Sequence, residues 1–194
     1  MNKNVVICGS IKPPKGQDSQ SAAREIAKLF IRGMEDGGLS EYSYFDLRDM
    51  DVPFYDGRSL EEYEDDNLNH FKECLLQAEN IIVSVPCYWR SAAGPFVNMI
   101  NVFGGPLYDD PEKRNILSGK KIQVITVGAS NTDAVYGTQH VNHLFTSLGA
   151  IVLPDEIMVG NLRGSSEEER KEISKNIYLS GKNLAIEQMG VAVE

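Results

Sequence analysis

Residues 80–103 read NIIVSVPCYWRSAAGPFVNMINVF. Ile81, Ile82, Val83 and Val85 make a β-branched apolar run, the pattern of a strand covered on both faces. Gly94-Pro95 then opens a helix, because a proline at the first helical position lacks only an N–H that would have found no partner there. Between strand and helix, Tyr88 and Trp89 stand side by side, flanked by Cys87 and Arg90. Two large aromatics at the mouth of a strand pose the question of what they hold.

The same alternation extends in both directions. Val5–Ile7 reads as a strand, followed by a helix from about Ser21 in which Ala23, Ile26, Ala27, Phe30 and Ile31 share a face and which Gly37 and Gly38 stop. Tyr42–Leu47 reads as the second strand, and a helix through His70 and Leu76 follows, with the acids of EEYEDD near its N-terminus, where the macrodipole favours them. Beyond the run 81–85 and the helix at 94 come a strand Ile122–Val127, a helix Thr138–Leu148 and a strand Ile151–Leu153. A last helix starts at the capping box Ser166–Glu169 and runs to about Gly190. Five alternations predict an α/β fold, a parallel sheet with helices on both faces. With 194 residues and no linker, repeat or low-complexity tract, residues 1–194 read as one domain.

Composition limits the function. A formal charge of -9 leaves no basic surface for sequence-independent binding to nucleic acid. No segment has the length of a membrane span, and the apolar run in MNKNVVICGS is too short for a signal-peptide core. Cys8, Cys74 and Cys87 form no CxxC pair and no disulfide framework, so a reducing cytoplasm is the expectation.

In parallel sheets ligands sit outside the carboxyl ends of the strands, where the strand order reverses. Three loops belong there: GSIKPPKGQDSQS (9–21), PCYWRSAAG (86–94) and VGASNTDAVYG (127–137). The first offers Ser10, Ser19, Gln20 and Ser21 with Lys12 and Lys15, then opens a helix whose free N–H groups suit a phosphate. It is neither a Walker A loop nor GxGxxG, and an ordinary serine-capped connection has the same local look. In the second, Tyr88 and Trp89 either flank a planar ring or pack on a helix and an oligomer interface. The third is small enough at Gly128, Ala129 and Ser130 for backbone to approach a ligand closely. Arg90 either attracts a nucleotide phosphate or makes a surface ion pair, Cys87 reads first as a small buried apolar residue, and His140 with His143 lacks a third metal ligand.

Several segments together resemble the NADPH-dependent FMN reductase family over roughly residues 3–160. They are a strand ending in Gly9-Ser10, a basic Lys12, a serine-rich turn, DMDVPFYD at 49–56, and VPCYWRSAAGPFVNMIN, similar to the family's Pro-x-Tyr-x-x-Ser leading into a helix. The resemblance implies a flavodoxin-like three-layer sandwich, a five-stranded parallel sheet of order 2-1-3-4-5, with bound FMN. It implies that Ser10, Lys12, Ser19, Gln20 and Ser21 hold the phosphate, that Pro86, Cys87, Tyr88, Trp89 and Arg90 form the ring-side loop, and that Gly128, Ala129 and Ser130 lie at the pyrimidine edge. The implied reaction carries a hydride from NADPH or NADH through FMN to a quinone, free flavin or other small planar acceptor, with no side-chain acid or base. Trp89, Tyr136, Phe54 and Tyr108 are the expected walls of the acceptor pocket. A flavodoxin-type electron carrier and a flavin-free binding module are the alternatives on the same fold. Long connections at 61–66 and 104–118 lead to the expectation of a homodimer or dimer of dimers.

Overall fold

The computed structural model describes residues 3–13, 21–58, 60–104 and 116–190. Among the described residues seven strands make one sheet: β1 (Asn4–Cys8), β2 (Ser43–Asp46), β3 (Asn80–Tyr88), β4 (Ser91–Ala92), β5 (Lys121–Gly128), β6 (Ile151–Val152) and β7 (Ile157–Gly160). The main path runs β2-β1-β3-β5-β6, all parallel. These are the five strands expected from sequence, in the order 2-1-3-4-5.

Two short strands go beyond the expectation. β4 folds back antiparallel on β3, and β7 runs parallel to β5 beyond the end of β6. β6 and β7 are thus two pieces of one edge, interrupted at Pro154, Asp155 and Glu156. Neither piece is long enough to show period-two alternation over several turns of sequence, which is why β7 reads as loop.

Strand residues divide by parity between the two faces. Val5, Ile7, Ile81, Val83, Val85, Ile122 and Val124 pack with α2 (Asp66–Gln77), α3 (Gly94–Gly104) and α4 (Asn131–Ser147). Val6, Ile82, Ile125 and Val127 pack with α1 (Ala22–Asp36) and α5 (Glu167–Gln188). Phe71 lies at the heart of the first layer, its ring 4.5 Å from that of Phe45 and 4.8 Å from that of Phe103. Burying a side chain of this size contributes roughly 1.5–3 kcal/mol. In the second layer α1 and α5 meet at bare backbone: a Cβ on Gly33 would stand 2.0 Å from the Tyr178 carbonyl oxygen.

Helix starts follow side-chain caps. Ser21, Asp65, Ser130 and Ser166 each accept from an amide three residues on, and Ser166 with Glu169 closes the expected capping box. α4 begins at Asn131, not at Thr138, because Ser130 accepts from the Asp133 amide and donates to its carboxylate. The third expected ligand loop is therefore largely the first turns of a helix. Leu60–Glu62, inside the region read as a helix entrance, forms a short 3-10 turn, and Asp65 is the cap. Among the described residues no helix is long and apolar enough to cross a membrane.

Candidate functional site

The carboxyl ends of β1, β3, β5 and β7 surround a cavity of about 310 Å³. At one end stand Ser10, Lys12 and Ser21 with the first two residues of α1, Ala22 and Ala23. Ser21 accepts from the Arg24 amide and its carbonyl from Glu25, so the Ala22 and Ala23 N–H groups are the first-turn donors with no partner inside the helix. A helix start with free N–H groups and a nearby cation suits an anion. The rest of the lining is Pro86 and Tyr88 from β3, and Val127, Gly128 and Ala129 from the end of β5. Leu162 and Arg163, just after β7, close the mouth.

Arg24 fixes the first loop from below. Its guanidinium is buried and pairs with buried Asp46 through both nitrogens that face it, one bond measuring 2.8 Å. The same group donates to the carbonyls of Ser10 at 3.0 Å, Lys12 at 2.7 Å and Pro13 at 3.2 Å. Carbonyls of the loop are thereby turned inward, toward Arg24. Burial pushes the Asp46 carboxyl up, yet the hydrogen bonds from Arg24 and the Arg48 amide outweigh it and hold the group below the ordinary carboxylate range. Burial, with the charge of Asp46, raises the neighbouring Cys8 thiol to about 11. From sequence Arg24 is one more polar residue on the helix; the partner that explains it is 22 residues away.

The aromatic corner is a hairpin. Tyr88 pairs with Ser91 across a two-residue turn, and both turn residues, Trp89 (φ 53°) and Arg90 (φ 63°), are left-handed. That is the signature of the type I′ turn, which asparagine and glycine fill at low cost. Trp and Arg there cost roughly 1–2 kcal/mol each, so neighbours must hold them. The Arg90 amide donates to Asp133 Oδ1 at 3.0 Å, and its guanidinium lies 5.2 Å from the Tyr136 ring centre. Lys12 Nζ lies 5.2 Å over the Tyr88 ring, which ties the hairpin to the first loop. On the far side, His140 Nδ1 receives Ser91 Oγ at 2.9 Å and the Ala92 amide at 3.2 Å.

A family model described as NADPH-dependent FMN reductase matches residues 2–163. The chain belongs to that family. No curated protein sequence matches it. Among solved structures, an oxidoreductase from Corynebacterium diphtheriae is similar at 15% identity and TM-score 0.70, over 96% of this chain and 98% of that one. An NADH:FMN oxidoreductase in its apo form is similar at 14% identity and TM-score 0.66, over 100% of this chain and 92% of that one. An FMN-dependent NADH-azoreductase from Bacillus anthracis in complex with FMN is similar at 15% identity and TM-score 0.63, over 95% of this chain and 100% of that one. Likeness at these identities speaks for the flavodoxin-like fold, and the family match for an FMN-dependent oxidoreductase with a nicotinamide nucleotide as donor.

The cavity of this FMN reductase family member fits such a cofactor. It joins an anion site, made of orphan N–H groups and Lys12, to a lining of Pro86, Tyr88, Gly128 and Ala129. Of the residues singled out from sequence, it brings together Ser10, Lys12, Ser21, Pro86, Tyr88, Gly128 and Ala129. Ser130 is occupied as the α4 cap. Trp89 projects from the hairpin tip, 94% exposed, and Phe54 is 87% exposed on the segment that Asn98 pins through Pro53 and Tyr55. Arg90 and Tyr136 pair outside the cavity lining.

Cys87 turns away from the cavity. It is buried, and a Cβ on Gly137 of α4 would stand 2.2 Å from its sulfur. Burial raises its thiol to about 12, the state of an inert packing residue. Ser19, Gln20 and Tyr108 lie outside the described residues. Sequence reading missed Ala22, Ala23, Leu162 and Arg163. The first two are visible only as a consequence of the Ser21 cap, and the last two only once β7 is recognised.

Proposed function

We propose that this cavity holds FMN and that the protein passes a hydride from NADPH or NADH to a quinone, a free flavin or another small planar acceptor. The observation that carries the reading is the juxtaposition, in one cavity, of the partnerless Ala22 and Ala23 N–H groups and Lys12 with Pro86, Tyr88, Gly128 and Ala129. Bound FMN would supply a ring that takes two electrons as hydride and releases them to a second molecule at the same place.

The chain's own work is positional and electrostatic. The α1 N-terminus, Ser10, Ser21 and Lys12, with Ser19 and Gln20 beyond the described residues, would hold the phosphate. Tyr88 and Pro86 would bound the ring, and backbone at Gly128 and Ala129 would face its polar edge, where donor groups favour negative charge. Trp89, Tyr136, Phe54 and Tyr108 are proposed as walls for the acceptor, with Arg90 near the nicotinamide nucleotide. Trp89 and Phe54 stand almost fully in solvent in one chain. Large aromatics so exposed favour a homodimer in which each subunit completes the other's acceptor wall. The unpaired Cys8, Cys74 and Cys87 agree with a reducing, cytoplasmic setting.

One spectrum series tests the core of this reading. The protein reconstituted with FMN is expected to show a flavin band that bleaches under nitrogen on adding a nicotinamide nucleotide and returns when a quinone is added. No flavin band after reconstitution overturns the reading. A yellow protein inert to both NADH and NADPH points to an electron carrier, in line with the likeness to an archaeal flavodoxin at TM-score 0.56. A monomer in light scattering at assay concentration removes the shared acceptor wall.

A further inference from the structure

We propose that His140 is a positioning residue for the Tyr88–Ser91 turn, holding it through an acceptor nitrogen, so that protonation of His140 releases the turn and loosens the cavity wall. The proposal rests on the flavin reading of the cavity only for its consequence, not for its geometry.

The Tyr88–Ser91 pair closes the hairpin, and the Ala93 amide returns to the Pro86 carbonyl at 2.9 Å. The alternation of an antiparallel ladder then aims the Ala92 N–H away from β3. Its partner is His140 Nδ1, at 3.2 Å. An amide N–H only donates, so Nδ1 must carry a lone pair and the neutral ring its proton on Nε2. Ser91 Oγ, at 2.9 Å, is the second group on the same nitrogen.

A proton taken from solvent onto Nδ1 inverts this contact. The imidazolium can still donate to Ser91 Oγ, but the Ala92 N–H then faces another N–H. Ala92 is buried, so water does not replace the lost acceptor. The turn it anchors is the strained one, with Trp89 and Arg90 left-handed, and it keeps the backbone pairing with β3, Lys12 over Tyr88, the Arg90 amide on Asp133 and the Arg90 guanidinium over Tyr136.

Among the described residues the ionisable groups on the turn and on His140's own helix are few. Cys87, Tyr88 and Arg90 come from β3 and the turn, and Asp133, Tyr136 and His143 from α4; β4 and α3 carry none. Asp133 is committed to Ser130 and Arg90, and Glu156, before β7, to Asn142. Neither acid is paired with His140, so the contact with the Ala92 amide is the one its proton decides.

The chain reports on itself, because Trp89 is its one tryptophan. Steady-state anisotropy and near-ultraviolet circular dichroism of Trp89 in flavin-free protein are followed from pH 8 to 5.5, with far-ultraviolet dichroism as the control for folding. The expected result is a loss of anisotropy along a single-proton curve, and FMN binding weaker by about tenfold across the same range, the factor carried by one buried donor left without its partner. His140→Asn keeps an acceptor next to the Nδ1 position and does not titrate, so it holds the high-pH signal throughout. His140→Ala is low throughout, and His143→Gln titrates like the parent. A flat signal in the parent, a titration that survives in His140→Asn, or a His140→Asn protein as loose as His140→Ala overturns the proposal. If FMN fails to bind while Trp89 titrates, the flavin reading falls and this inference stands; if FMN binds and Trp89 is flat, the reverse holds.

Discussion

Replacing Arg24 by Met removes the cation on which the first loop is built. Asp46, 7% exposed, then stays buried as a carboxylate without its charge partner, and the carbonyls of Ser10, Lys12 and Pro13 lose a donor. Removing one member of a buried pair costs about 3–5 kcal/mol. Tyr44 Oη at 3.2 Å and the Arg48 amide at 3.1 Å still donate to Asp46, so the lower part of that range, about 3–4 kcal/mol, is expected. That is a large share of the roughly 5–15 kcal/mol that holds a domain together. Urea unfolding of the flavin-free protein measures it: with a slope of about 2–3 kcal/mol per molar, the midpoint falls by roughly 1–2 M.

The pH dependence has a definite sign. Asp46 is held below its unfolded value of about 3.9, so its contribution is complete above that pH and is lost as pH falls through the lower folded value. In Arg24→Met burial is opposed only by the hydrogen bonds from Tyr44 and the Arg48 amide and the folded value rises, so acid relieves the variant before it harms the parent. The stability gap is therefore widest near pH 7 and narrows toward pH 4. The double change Arg24→Met with Asp46→Leu recovers most of the loss, because no unpaired charge is left behind. A gap under about 1 kcal/mol at pH 7, or one that does not change with pH, refutes the pairing as the loop's support.

Four further outcomes are expected. Trp89→Asn with Arg90→Gly gives the turn residues that a left-handed backbone accepts, so thermal unfolding shifts upward by the equivalent of about 1–2 kcal/mol, while the proposed reduction of a quinone is expected to fall. Gly181→Ala places a Cβ 2.1 Å from the Phe30 carbonyl oxygen and forces α1 from α5; a loss of at least about 2 kcal/mol in the same unfolding assay is expected. Ser166→Ala breaks the capping box of α5 and costs about 1 kcal/mol, read from the melting temperature. Under native conditions at pH 7, alkylation followed by mass spectrometry modifies Cys74 ahead of Cys8 and Cys87, whose thiols are buried and raised to about 11 and about 12.

Legibility in the sequence followed the range of the interaction. The strands Val5–Ile7, Ile81–Val85 and Ile122–Val127 are visible because full burial on both faces writes a near-continuous apolar run. The capping box Ser166–Glu169 and Gly37 mark helix ends through contacts three or four residues long. The opening of α4, Ser130 to Asp133, reads as a ligand loop from its small residues, and the cap-and-acid pair that makes it a helix start shows only in the hydrogen bonds. β7 escaped because a four-residue edge strand has no period of its own.

The same division runs through the site. Ser10, Lys12, Ser21, Pro86, Tyr88, Gly128 and Ala129 could be placed at one sheet edge from strand alternation and family resemblance, since parallel strands with right-handed crossovers must bring their carboxyl ends together. The sequence by itself thus determined the fold, the sheet edge at which the cavity opens and most of the cavity lining. Tertiary structure decided the direction of each side chain there. Cys87 turns into α4 because successive residues of a strand point to opposite faces, while Trp89 is thrown outward because the chain reverses at a left-handed turn. Arg24 under the first loop, His140 under the hairpin and Arg163 at the mouth come from segments far apart in the chain. Their roles are set by distances that no local pattern of residues encodes.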